Sequence, residues 1–371
     1  MKEKYEQAVE FFNNGKLNEA KNICLEILKE HPNNFDTLKL FGLVLFQNQD
    51  YEKSANFIYK AINIKPNIAE TYNIYSIILI HLKKNDEAIK SWNNAIKIKP
   101  DYLEAYFNLG NIFFDLEKFN EAIENYKKAI ELKPDYLEAY NNLGNAQRRF
   151  GKFNEAIENY KKAIELKPDY LEAFSSLGNA QRMIGKFNEA IESYNKAIEL
   201  KPNSFELYYN KGNVLKDLRK FNEAIETYNK ALKIKPNAAN VYYSLGKTFI
   251  ELDKLDDALN NYSKAYKIDP KQDFLLGQLF YLKNRLCDWS HFDENLEKIK
   301  NEIQKFENVI MPFSSLSICD VPSLQKIVAE SYLKSKYSKI KILKPITKRE
   351  PNKKIRIGYY SADFRNHAMA Y

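Results

Sequence analysis

Residues 101–134 read DYLEAYFNLGNIFFDLEKFNEAIENYKKAIELKP, and residues 135–168 read DYLEAYNNLGNAQRRFGKFNEAIENYKKAIELKP. The second segment restates the first over the same 34 positions. Self-similarity at such a period marks a chain built by stacking one supersecondary unit. Proline carries the register outward at steps of 34 residues, as Pro32, Pro66, Pro100, Pro134, Pro168, Pro202, Pro236 and Pro270. Glycine keeps the step at Gly42, Gly110, Gly144, Gly178, Gly212 and Gly246. Alanine keeps it in two columns, one through Ala88, Ala122 and Ala156, the other through Ala95, Ala129 and Ala163.

Within 101–134, Leu103, Tyr106, Leu109 and Phe113 follow helical spacing, as do Phe119, Ala122, Ile123, Tyr126, Ala129, Ile130 and Leu132. The spacing predicts two amphipathic helices. Asp101 with Glu104, Asp135 with Glu138 and Asp169 with Glu172 have the spacing of a capping box at the first helix. The proline ends the second helix, because it lacks a backbone donor and clashes with the preceding turn. Glycine and alanine allow close backbone approach where the helices cross. Tyr126, Tyr160, Tyr194, Tyr228 and Tyr262 fill the space beside them, with Trp92 in that place one unit earlier. The first units are less regular, with Cys24 and Ile58 at the tyrosine position and Ser76 in place of the glycine.

These columns resemble the tetratricopeptide repeat family over residues 1–270. The resemblance implies an all-α superhelix of about eight repeats whose first helices line a concave groove. Such a solenoid recognises extended polypeptides. Just before the repeat glycine come Asn108, Asn142 and Asn210, alternating with Ser176 and Ser244; just after it come Asn111, Asn145, Asn179 and Asn213. A side-chain amide both donates and accepts, so columns of them can hold a peptide backbone whatever its side chains. All seven asparagines are therefore candidate peptide contacts.

Composition narrows the alternatives. Lys and Arg number 57 against 49 Asp and Glu, a net charge of +8 spread mostly over helix faces. The basic run at residues 334–356 contains Tyr337 but otherwise lacks interleaved aromatics, and reads as a linker rather than a nucleic-acid site. The charged start, with Lys2, Glu3, Lys4 and Glu6, carries no signal or membrane anchor, so a cytoplasmic address is expected. Cys24, Cys287 and Cys319 never form a CxxC pair and are expected to be buried thiols, with no metal site. An exposed outer face of the repeats could pair two copies as a homodimer.

The period stops after Pro270. Residues 274–286, 292–306 and 322–337 read as further helices around a Pro- and Ser-containing loop at 309–321, so residues 271–350 form a helical transition region and basic linker. At residues 353–361 a β-branched run, KKIRIGYYS, reads as a strand. A lone strand needs a sheet, so residues 351–371 are expected to begin a truncated α/β domain.

Cys287-Asp288-Trp289, the helices that follow and the string IRIGYYSADFRNHAMAY resemble the junction with the catalytic region in O-linked N-acetylglucosamine transferases and SPINDLY-like enzymes. The resemblance implies a glycosyltransferase fold B domain that moves a sugar from a nucleotide donor such as UDP-GlcNAc to Ser or Thr of proteins. In that family the repeats hold the acceptor through an asparagine ladder, here Asn108, Asn142 and Asn210. The family motif GYxSxDFxNH is matched by Gly358, Tyr359, Ser361, Asp363, Phe364, Asn366 and His367, and implies an active-site role for His367, whereas Ala368 stands where the family often has proline. The donor-binding lobe and any Gly-rich phosphate loop are missing from the 371 residues, so this chain alone is expected to be inactive and to need no cofactor of its own. The alternative is a stand-alone repeat scaffold.

Overall fold

A computed structural model describes residues 1–305, 308–316 and 321–337. The chain divides into two compact units, Met1–Pro270 and Lys271–Tyr371. The first unit opens with α1 (Lys2–Asn13) and α2 (Leu17–Glu30), α3 (Phe35–Gln47) and α4 (Tyr51–Ile64), then α5 (Ala69–His81) and α6 (Asn85–Ile98). Its regular centre comprises α7 (Leu103–Asp115) and α8 (Phe119–Leu132), α9 (Leu137–Phe150) and α10 (Phe153–Leu166), α11 (Leu171–Met183) and α12 (Phe187–Leu200). It closes with α13 (Phe205–Asp217) and α14 (Phe221–Ile234), then α15 (Ala239–Glu251) and α16 (Leu255–Ile268).

Each odd-numbered helix packs on the even-numbered helix after it and, less extensively, on the one before. From α7 to α15 the odd-numbered helices also approach one another, more closely than the even-numbered ones do. They therefore line the inner side of the superhelix.

The periodic columns account for this packing. Ala122, Ala129, Ala156 and Ala163 have no exposed surface, and Tyr126 and Tyr160 are equally enclosed. Each tyrosine ring lies on the glycine of the preceding helix. A Cβ on Gly110 would stand 2.5 Å from Tyr126 Cε1, and one on Gly144 2.7 Å from Tyr160 Cε1.

The link between repeats is a proline turn. Lys99, ahead of Pro100, has left the helix with φ −129° and ψ 92°, as a residue before proline must. The Tyr102 N–H then donates to the Lys99 carbonyl at 3.1 Å. This turn corrects the expected capping boxes. Helices α7, α9 and α11 are capped at Tyr102, Tyr136 and Tyr170 without a side-chain bond. Asp101, Asp135 and Asp169 sit one residue too early, drawn into the turn behind the proline. Glu104, Glu138 and Glu172 still occupy the first turn, where the helix dipole favours a carboxylate.

The link inside each repeat follows a column that composition hides. Gly15, Gln49, Lys83, Glu117, Gly151, Gly185, Arg219 and Asp253 recur every 34 residues, and all have positive φ. The residue after each closes the turn, as where the Lys152 N–H donates to the Gln147 carbonyl at 2.8 Å. At Gly151, φ is +90° and nothing lies within 4 Å of an added Cβ. Gly151→Ala is therefore expected to destabilise through backbone strain alone, by about 1 kcal/mol, as measured by urea unfolding.

The second unit contains α17 (Leu275–Arg285), α18 (Phe292–Lys305), α19 (Pro312–Leu316) and α20 (Pro322–Tyr337). Phe280, Ile299, Ile303, Ile310, Leu324 and Val328 form its core. The Phe274 N–H donates to the Asn308 carbonyl and the Gly277 N–H to that of Val309, which pins the segment before α19 against α17.

Cys24 is buried and burial pushes its thiol up to about 12, whereas Cys287 is exposed, against expectation. Cys287 lies in the turn after α17 with φ +54°, outside the core contacts that hold Leu282. Iodoacetamide at pH 8 is expected to label Cys287 in the native chain and Cys24 only after unfolding, as read by mass spectrometry. Cys319, most of the basic run, the strand expected at residues 353–361 and His367 lie outside the described residues.

Candidate functional site

The inner helices expose a polar strip. Asn108, Asn111, Asn142 and Asn145 are half-buried and line two neighbouring pockets. One, of about 260 Å³, is bounded by Asn111, Phe114, Asp115, Tyr126, Asn142 and Asn145. The other, of about 180 Å³, is bounded by Ile77, Ile80, His81, Trp92, Asn108, Asn111, Ile112 and Asp115. Asn179, Asn210 and Asn213 hold the corresponding places on α11 and α13, with Asn213 buried.

The two asparagine columns are joined to each other and to the core tyrosines. The Tyr126 hydroxyl donates to Asn111 Oδ1 at 2.8 Å, and Asn142 Nδ2 donates to the same oxygen at 3.1 Å. Tyr160 donates to Asn145 Oδ1 at 2.9 Å and Tyr228 to Asn213 Oδ1 at 2.8 Å. One unit earlier, Trp92 Nε1 and Asn108 Nδ2 both donate to Asn73 Oδ1. The amides are thus held by groups anchored in the core. Among the described residues, the carbonyl oxygens of Asn108 and Asn142 and the amide N–H groups of Asn111 and Asn145 have no hydrogen-bond partner.

These tyrosines also serve as struts for the site, a role that sequence reasoning missed. The signal was present: an asparagine immediately after the repeat glycine, with a tyrosine 15 residues later, recurs at Asn111, Asn145, Asn179 and Asn213, and the bond between the two forms at Asn111, Asn145 and Asn213. The pattern fails twice. Asn179 Nδ2 donates to its own helix at the Ser175 carbonyl, and Lys247 stands in the asparagine's place beside Tyr262. Among the described residues, the Tyr194 and Tyr262 hydroxyls are buried without a hydrogen-bond partner, and burial pushes both well above the usual tyrosine range. Tyr194→Phe is therefore expected to leave stability unchanged or slightly raised, while Tyr228→Phe costs about 1 kcal/mol, in matched urea titrations.

Charge varies along the strip. Arg182 Nε donates to Asp217 at 2.7 Å, and Arg149 pairs with Glu117 at 3.0 Å. Among the described residues, the buried Arg148 Nε has no hydrogen-bond partner. Among the described residues, no three His, Cys, Asp or Glu side chains gather to hold a metal ion, and no helix is long and apolar enough to cross a membrane.

Eight stacked helix pairs with a polar inner strip define a repeat solenoid of the recognition class. Models of the TPR repeat match residues 78–116, 110–151, 148–185, 182–218 and 212–253, and a tetratricopeptide repeat model matches 40–68 and 239–272. Together they cover more than half of the chain, which belongs to the tetratricopeptide repeat family.

Among solved structures, MamA protein is 30% identical, with a TM-score of 0.42, over 46% of this chain and 93% of its own. YrrB, a TPR protein with an unusual peptide-binding site, is 23% identical, with a TM-score of 0.42, over 50% of this chain and 95% of its own. A chain of the APC/C hetero-tetramer Cut9-Hcn1 is 19% identical, with a TM-score of 0.48, over 72% of this chain and 52% of its own. No curated protein matches.

Proposed function

We propose that the chain holds an extended polypeptide along the inner helices, with Asn108, Asn111, Asn142, Asn145, Asn179, Asn210 and Asn213 as contacts to the peptide backbone. The observation that carries this reading is the set of half-buried amides that core tyrosines and neighbouring asparagines hold in place while leaving hydrogen-bonding groups open. A backbone bound in this way would be recognised largely irrespective of side chains. Asn179, turned onto Ser175, is the weakest member of the set.

The finer form of the proposal makes this groove the acceptor-binding arm of a protein O-glycosyltransferase. The complete enzyme would transfer a sugar such as N-acetylglucosamine from UDP-GlcNAc to Ser or Thr, with His367 in its active site. The string from Ile355 to Tyr371 and the Cys287-Asp288-Trp289 motif support this reading. The alternative, a stand-alone scaffold joining protein partners, is compatible with family matches that fall within residues 40–272.

One experiment separates the two. The full product of the gene is incubated with radiolabelled UDP-GlcNAc and a mixed protein acceptor. Transfer that His367→Ala abolishes supports the glycosyltransferase. Polypeptide binding without transfer leaves the scaffold.

A further inference from the structure

Asp115 closes α7 on the inner strip, is exposed, and borders both pockets described above. Its counterpart three repeats later is Asp217, at the end of α13. There the carboxylate is neutralised from the preceding inner helix: Arg182 Nε donates to Asp217 Oδ2 at 2.7 Å, and Lys216 Nζ lies 3.9 Å from Oδ1. The residue that stands to Asp115 as Arg182 stands to Asp217 is Ile80, and Phe114 replaces Lys216. Asp115 forms no ion pair among the described residues.

Ile80 stands in the cation's place, and a pocket of about 180 Å³ lies beside it. Ile77, Ile80, Trp92 and Ile112 wall the smaller pocket, and His81, Asp115 and the amides of Asn108 and Asn111 complete its lining. Apolar walls leading to one carboxylate fit a side chain with an aliphatic stem and a cationic head.

We propose that the pocket between α5 and α7 is a specificity site for a Lys or Arg side chain of the bound polypeptide, which takes the place that Arg182 fills at Asp217. This rests on the peptide-groove reading and adds a side-chain preference to it. The net charge of +8 disfavours basic partners at long range, so the preference is local.

The test uses an array of 12-residue peptides in matched pairs, each pair differing only by Lys against Gln or Arg against citrulline. The fluorescently labelled full chain is expected to bind the basic member about three- to fivefold more tightly, with the ratio falling as salt is raised. Asp115→Asn and Ile80→Arg should each bring the ratio to about one. Ile80→Arg supplies the missing cation from within, and circular dichroism checks that both variants are folded. Glu124→Gln, the same charge change on α8, should leave the ratio as in the parent.

Equal binding of the paired peptides, or a preference that survives in a folded Asp115→Asn chain, overturns the inference. Failure of the underlying reading looks different: the neutral peptides would bind the Asn108, Asn142 and Asn210 triple alanine variant as well as the parent. In that case the inference falls with it.

Discussion

Tyr160→Ala is expected to destabilise the repeat unit by about 3–5 kcal/mol, measured as a shift in urea unfolding. The ring is fully buried, packs in the cluster of Ala156, Ile157, Leu177 and Ala180, and anchors its hydroxyl on Asn145. Truncation leaves a cavity that helices in a stacked array cannot close without shifting both neighbouring repeats. Because each repeat contacts only its neighbours, the loss should appear first as faster amide exchange in α9 through α12.

The glycine facing this ring supplies an internal check. Gly144→Ala alone should cost about 1–3 kcal/mol, since the new methyl meets a ring tied at its far end. In the double variant the two costs should fall short of their sum, because the truncated side chain no longer opposes the methyl. Strict additivity would show that glycine is kept at position 144 for another reason.

The simultaneous change of Asn108, Asn142 and Asn210 to alanine is expected to weaken capture of an unfolded polypeptide about 100-fold. Each amide contributes a hydrogen bond worth about 1 kcal/mol, and about 1.4 kcal/mol corresponds to a tenfold change in affinity. The measurement is fluorescence anisotropy with a labelled, reduced and carboxymethylated protein as ligand. Stability should change less, because these side chains are half-buried and lie on the groove rather than in the core. Asn111→Ala should differ by also removing the acceptor for Tyr126 and Asn142, so it should lower both stability and binding. Undiminished binding by a folded triple variant would reduce the columns to structural polar positions.

The period, the helix pairs and the columns at glycine, alanine and tyrosine were legible in the sequence by itself. Residue size within one helix hairpin decides them: Gly110 against Tyr126, or Ala122 beneath it, can be placed from spacing alone. The asparagine columns were legible as positions for the same reason. Other features waited for the tertiary structure because they depend on backbone geometry or on side chains from different repeats.

The left-handed turn residues share a conformation and no chemistry, being Glu117 in one repeat and Gly151 in the next, so composition could not mark the column. The Asp101, Asp135 and Asp169 capping pattern was misleading, because proline turns consumed those residues before the helices began. Whether a groove carboxylate is neutralised depends on the residue that the preceding repeat presents to it. Arg182 reaches Asp217, while Ile80 occupies the equivalent place near Asp115, and stacking makes that difference a feature of the surface.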